Sequence, residues 1–160
     1  MTAKSHPERK RIRLPADAYL VPGSAWLVTI GTHERGAFFT DSDLAKLVAR
    51  IIQDRCAARG AVLAAFCLMP DHAHLLLQIT RSGLVDVIGD VKSNSTRAWW
   101  RHGGTGPLWQ RSFHDRGIRH PNDYERAAVY VLENPIRAAL VTNWPDYSHL
   151  GGTLVDDQPS

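Results

Sequence analysis

Two histidines with one residue between them, His72 and His74, stand in MPDHAHLLLQI, and a tyrosine, Tyr130, follows in YVLENPIRAALV. In an extended chain residues two apart point the same way. The two imidazoles would then share one face about 7 Å apart, close enough to converge on one cation, for which neutral imidazole is a common ligand. The same pattern also fits two polar residues on a solvated strand face, so a metal site requires at least one more ligand from elsewhere. At about 100° per residue, Tyr124, Ala127, Ala128, Val131 and Leu132 form one apolar stripe of a helix, with Tyr130 and Asn134 together at its border. A tyrosine so placed has its ring supported by the core and its hydroxyl free to react. An amide four residues on can offer its carbonyl oxygen to a cation. The competing reading is a boundary tyrosine that packs its ring and wets its tip, with Asn134 ending the helix. Pro135 disfavours helical geometry at Asn134 and so bears on where that amide points.

The elements that must position these groups are legible from pattern. Pro22-Gly23 signals a turn, and Ala25–Thr32 is rich in β-branched and aromatic residues, a strand. Thr40 or Asp41 can cap a helix through about Arg59, ended by Gly60. Ala61–Met69 is short and continuously apolar, as a strand covered on both faces requires. Pro70-Asp71 turns the chain into His72–Ile79, which places His72, His74, Leu76 and Gln78 on one face and Ala73, Leu75, Leu77 and Ile79 on the other. Leu84 to Arg101 reads as a helix ending at Gly103-Gly104, and Leu108 to Ile118 as a fourth strand. Asn122 and Glu125 fit a capping box for a last helix running to Asn134. The order β-α-β-β-α-β-α predicts an α+β, ferredoxin-like sandwich: a mainly antiparallel sheet of four to five strands with helices packed on one face.

The chain has 160 residues, 44% apolar and 22% charged, which suits one compact domain over residues 1–160. A basic arm over about 1–14 and a tail over about 151–160 are expected to be loosely ordered. The longest apolar run, Ala61–Met69, is less than half of a membrane span. The N-terminal MTAKSHPERKRIRLP has no apolar core of a secretory signal, so a cytoplasmic protein without membrane partners is expected. Cys56 and Cys67 are the only cysteines, and no CxxC pairing exists; Cys67 reads as a small buried hydrophobe. Net charge is +3, but its distribution says more. Lys4, Arg9, Lys10, Arg11 and Arg13 crowd the start, and Lys92, Arg97, Arg101, Arg111, Arg116 and Arg119 are interspersed with Trp99, Trp100, Trp109 and Phe113. Cations near exposed aromatics suit single-stranded nucleic acid, since phosphates neutralise the charges and bases stack on the rings. A solvated surface over core tryptophans fits the same composition.

Met69–Leu77 (MPDHAHLLL) and Tyr130–Val141 (YVLENPIRAALV), with Pro22–Phe39 and Gly106–Arg119 between and before them, resemble the REP-associated tyrosine transposases. These are single-tyrosine HUH transposases, where HUH denotes His-hydrophobic-His. The resemblance runs in order over roughly residues 11 to 150; Val131 and Ile136 stand where isoleucine and valine are expected, and neither exchange touches chemistry. It implies that His72, His74 and Asn134 are metal ligands and that Tyr130 is the nucleophile, on single-stranded DNA beside a hairpin. It also implies a divalent ion, Mg²⁺ or Mn²⁺, although two imidazoles and an amide suit zinc, copper or nickel at least as well by ligand softness. No nucleotide cofactor is implied. Monomer and homodimer remain equally open.

Among the other polar residues, Lys92, Arg97, Arg111, Arg116 and Arg119 are expected to contact DNA phosphate, and Arg11 and Arg13 to form an arm that reads a hairpin. Trp109 and Phe113 share a face and fit the core better than a stacking platform. Asp71 is explained by the turn, with support to a histidine as the lesser reading; His114 and Asp115 fit a structural role, with support to the site residues as the lesser reading. Two rival functions stand beside DNA strand transfer: a hydrolase using His72, His74 and a bound water, and a non-catalytic module that only binds single strands.

Overall fold

In the computed structural model the described residues are 24–156, so Arg11 and Arg13 lie outside them. Strand β1 (Ala25–Gly31), helix α1 (Ser42–Ala58), strands β2 (Val62–Met69) and β3 (His72–Gln78), helix α2 (Leu84–Arg101), strand β4 (His114–Ile118) and helix α3 (Pro121–Leu132) follow in the expected order. A short helix α4 (Asn134–Arg137), a two-residue strand β5 (Leu150–Gly151) and a helical turn α5 (Thr153–Asp156) complete it. The sheet order is β4-β1-β3-β2-β5 and every neighbouring pair is antiparallel, so the α+β sandwich stands. Among the described residues no helix is long and apolar enough to cross a membrane.

Helices cover both faces of this sheet, not one. Val28, Ile30, Leu68, Ala73, Leu75 and Leu77 pack with residues of α1 and α2, while Ala65, Cys67, Met69 and Leu76 pack with Ala127, Ala128 and Val131 of α3. The physical cause is in β2, whose residues from Leu63 onward are buried on both sides: an apolar strand of that kind needs a cover on each face. The stripe read along α3 is therefore the second cover, with Tyr124 and Leu132 packed at its edges. The tail also differs from expectation, because Leu154 of α5 joins this second cluster and so holds residues just past Gly151 against the sheet.

Local signals account for most boundaries. The Asp41 carboxylate accepts hydrogen bonds from the backbone N–H of Asp43 and Leu44, each at 3.1 Å, and caps α1. Gly60, with φ +69°, adopts the left-handed conformation that ends a helix. The capping box expected at Asn122 does not form: α3 begins at Pro121, and its cap residue His120 makes no side-chain bond to the helix. Proline at the first helical position has φ pre-set and lacks an N–H that would be unpaired there anyway. Strand β4 is shorter than predicted: its ladder with β1 ends at His114, and among the described residues upstream only a single bridge, Thr32 with Trp109, follows, bonded from His33 N–H to the Leu108 carbonyl and from Gln110 N–H to the Gly31 carbonyl. Lys92 Nζ donates to the carbonyls of Gln110 (2.6 Å) and Arg111 (3.0 Å). Trp109 is core, as expected, its indole N–H donated to Ser95 Oγ at 2.7 Å, and Phe113 packs against the same core.

Candidate active site on the tyrosine face of the sheet

The hairpin between β2 and β3 turns on Pro70-Asp71, and this turn is anchored rather than free. Thr32, fully buried, donates its backbone N–H and its hydroxyl to the Asp71 carbonyl, each at 2.9 Å. The Pro70 carbonyl accepts from Phe39 N–H at 3.1 Å. His72 therefore enters β3 at a fixed position, and the alternation of the strand puts His72 and His74 on the α3 face. Their rings lie 4.7 Å apart, nearly perpendicular.

Each imidazole is held through its Nδ1. The Asp71 carboxylate lies 2.6 Å from Nδ1 of His72; a carboxylate accepts only, so that nitrogen carries a proton and Nε2 is the one left for another partner. Arg35 pairs with the other oxygen of Asp71 at 3.3 Å. The turn and the support to a histidine, which sequence had set against each other, are thus both roles of Asp71. On His74, Nδ1 meets the hydroxyl of Thr29 at 2.9 Å, its cross-strand neighbour in the register. Oxygen partners on the second ring nitrogen are the usual way a metal-binding histidine is oriented. Burial, with the neighbouring His72 ring and the charges of Arg137 and Arg35 acting in the same direction, pushes the His74 imidazole down to about 3. It is neutral at physiological pH, as a ligand must be.

A pH dependence follows. Between about 3 and 6.5 the unfolded chain holds a proton at this position that the folded chain does not, so stability rises with pH across that window. The stabilisation is complete above the ordinary histidine range and is lost as the solution is acidified. Urea midpoints measured with a chelator present should fall between pH 6.5 and pH 4, and less steeply in His74→Gln. An identical slope in that variant would show that the burden lies elsewhere.

The tyrosine arrives from the other layer. The Tyr130 ring lies 5.3 Å from the His74 ring in an edge contact, and the residue remains 44% exposed. The strand-borne imidazoles and the helix-borne phenol are therefore brought together. Helix α3 stops at Leu132 and Glu133 breaks it (φ −86°, ψ −1°), so Asn134 starts α4 instead of continuing the turn. Asn134 is buried, at 9%. Arg137, which sequence reasoning passed over, sits with its guanidinium 4.4 Å over the Tyr130 ring and donates to the Tyr130 carbonyl. Seven residues separate them, two helical turns, and that spacing was the available signal. His114, for which the sequence favoured a structural role over support to the site, pairs on β4 with Thr29, whose other neighbour is His74. The three residues form one row across the α3 face.

Among the described residues no group of three or more His, Cys, Asp or Glu converges as a metal cage. A cation here would rest on two imidazoles and a neutral oxygen. Two of the three expected donors meet on this face and suit that role, His74 being neutral and His72 carrying a proton on Nδ1; Asn134 is buried at the start of α4. The cysteines contribute nothing, both being buried and free with thiols pushed up to about 12 by burial.

The cationic residues fall into two groups. Arg116, on β4, and Arg119, just past it, are exposed; Arg116 alternates with Ile118, which packs in the α3 cluster, and so belongs to the tyrosine face. Lys92 and Arg97 lie on α2, across the sheet from α3, with Lys92 bound to backbone carbonyls and Arg97 bonded to Asn94 at 3.1 Å. Arg111 joins them along one cleft.

Comparison with known proteins fits this architecture. A REP-associated tyrosine transposase bound to a REP hairpin superposes with a TM-score of 0.68 at 20% identity, covering 82% of this chain and 78% of that one. A proposed transposase from Deinococcus radiodurans gives 0.54 at 23% identity, over 66% and 87%; these likenesses concern the fold. A proposed REP-associated tyrosine transposase of Haemophilus influenzae is 28% identical over 99 residues, 51% of this chain, and the match spans about half of that relative's length (54%). Residues 26–122 match the model of the family described as "Transposase IS200 like", a segment that holds both imidazoles and stops short of Tyr130. With more than half of its length matched, the chain belongs to the IS200-like transposase family.

Proposed function

We propose that the chain is a single-stranded DNA endonuclease and strand-transferase of transposase type, acting beside hairpins such as repeated extragenic palindromes. The observation that carries this reading is the meeting of an exposed phenol with two oriented, metal-competent imidazoles on one sheet face. His72 and His74 through Nε2, with the Asn134 amide oxygen, would hold a divalent ion, Mg²⁺ or Mn²⁺ by family resemblance. Such an ion, when bound, offsets the negative charge of the nonbridging phosphate oxygens.

The chain's own residues supply the rest. Tyr130 Oη attacks phosphorus and gives up its proton to solvent as the new O–P bond forms. The bond from phosphorus to the 3′-oxygen breaks, and that oxygen takes a proton from solvent and leaves as a 3′-hydroxyl. The protein keeps a 5′-phosphotyrosine. Because the new ester resembles the one broken, the 3′-hydroxyl of another strand can attack it and join DNA, restoring the phenol. Arg116, exposed two residues along β4 from His114, would neutralise the backbone of the incoming strand, with Arg119, exposed just past that strand, as a further phosphate contact.

Arg137 is a positioning residue in this scheme. It fixes the nucleophile's ring by a cation–π contact, worth about 0.5–2 kcal/mol, and satisfies one of the carbonyls left open at the end of a helix. Arg137→Met, which keeps the stem, should lower the rate of adduct formation about tenfold, with Arg137→Lys intermediate. Equal rates in all three, read on denaturing gels, would remove Arg137 from the scheme.

The proposal as a whole is tested by covalent capture. With Mn²⁺ and hairpin DNA carrying a single-stranded flank, the protein should retain the fragment 3′ of the cut, whose 5′-phosphate is esterified, through denaturation. Retention of the other fragment, or cleavage without retention, would overturn it.

A further inference from the structure

A cleft of about 390 Å³ lies between α2 and the segment 106–111, in the range that takes one small ligand. Its walls combine Trp100 with Arg97 and Arg111. Trp100 is 51% exposed, whereas its neighbours Trp99 and Trp109 are buried at 9% and 5%. Its indole N–H is donated to the Gly106 carbonyl at 2.8 Å, which holds the ring in place without covering it. Lys92 fixes the opposite wall by its bonds to the Gln110 and Arg111 carbonyls.

Gln110 connects this cleft to the imidazoles. It lines the cleft, its backbone N–H is donated to Gly31, and its side chain lies against Gly31, where an added Cβ would stand 2.9 Å from Gln110 Cδ. Gly31 alternates with Thr29 and so turns to the tyrosine face, and its partner in the register is His72. Paired residues on adjacent strands are about 5 Å apart. Gln110 therefore borders the cleft and, through its side chain, the strand residue paired with His72.

We propose that this cleft is a subsite for an unpaired nucleotide of the DNA strand that leads into the tyrosine face, its base stacked on Trp100 and its phosphates neutralised by Arg97 and Arg111. The subsite rests on the cleavage reading for its place in the reaction, but not for its chemistry. An exposed, edge-anchored ring flanked by guanidinium groups is the arrangement that binds single strands without regard to sequence. A plain anion site would leave the exposed indole without a role.

The test uses the full chain carrying Tyr130→Phe, with chelator present, and a short fluorescent oligothymidylate read by anisotropy. Trp100→Ala should weaken binding about tenfold and Trp100→Phe much less, since stacking tolerates any aromatic ring. Arg97→Ala with Arg111→Ala should reduce the salt dependence by about 1.4, at ~0.7 for each phosphate contact. Binding by Trp100→Ala within about twofold of the parent overturns the subsite, and so does dependence on the arginines alone, which would mark a surface for any polyanion. Adduct formation with unaltered Tyr130 is measured separately. A lost subsite with adduct retained removes the cleft alone, while a working subsite with no adduct removes the cleavage reading and keeps the cleft.

Discussion

Tyr130→Phe is expected to carry no DNA through denaturation and to lose strand cleavage by on the order of 10³-fold or more, as removal of a nucleophile does elsewhere. The exchange deletes one oxygen and little else. The ring keeps its edge contact with His74 and its place under Arg137, and at 44% exposure the hydroxyl contributes little to folding. Unfolding midpoints and hairpin affinity should therefore match the unaltered chain, so that loss of the adduct reports chemistry alone. The two rival functions separate on the same gel. Cleavage that persists in Tyr130→Phe would mean that water is the nucleophile and the phenol a boundary residue. Tight binding with no cleavage in the unaltered chain would mean a module that only holds DNA.

The parts of this site that lie within one strand were legible from alternation. His72 and His74 facing away from Ala73, Leu75 and Leu77 needs only a period of two, and the two faces of β3 pack accordingly. The tyrosine stripe needs only a period of 3.6, and α3 buries Ala127, Ala128 and Val131 as that period requires. What pattern could not supply was the layer in which α3 sits. A strand apolar on both faces demands two covers, but β2 does not state which helix provides the second, and so the helices were placed together on one face. Cross-strand partners were hidden for the same reason. Thr29 meets His74 because of register, and no feature of AWLVTIG marks its threonine as different from any other. Arg137 was obscured by Pro135, which argued for an end to helical geometry; the chain does break at Glu133, yet α4 resumes at once and returns the guanidinium to the tyrosine. Lys92 read as one more phosphate contact, because a sequence cannot tell a lysine that meets solvent from one that holds two carbonyls.

His74→Gln is expected to abolish cleavage while leaving affinity for hairpin DNA within a few-fold of the unaltered chain, because phosphate contacts come from other residues. Glutamine suits the test better than alanine. Its amide can still pair with Thr29, whereas alanine would leave a cavity beneath α3 and an unpartnered hydroxyl in a face where His74 is only 4% exposed. Losing a ligand should exceed the 10–100-fold cost typical of losing a ligand's own hydrogen-bond partner, so Thr29→Val provides the smaller, graded effect. A second readout needs no DNA. A cation that binds only the folded chain raises its stability, by about 2.7 kcal/mol at a hundred times its dissociation constant, so Mn²⁺ should raise the melting temperature of the unaltered protein and not that of His74→Gln. If Mn²⁺ stabilises both equally, the ion sits elsewhere. If DNA affinity falls as far as cleavage, His74 serves the DNA surface and not the chemistry. An imidazole held neutral by burial beside Arg137 and Arg35 costs stability at every pH below its ordinary range, so His74→Gln is expected to relieve that cost in the same protein that loses cleavage.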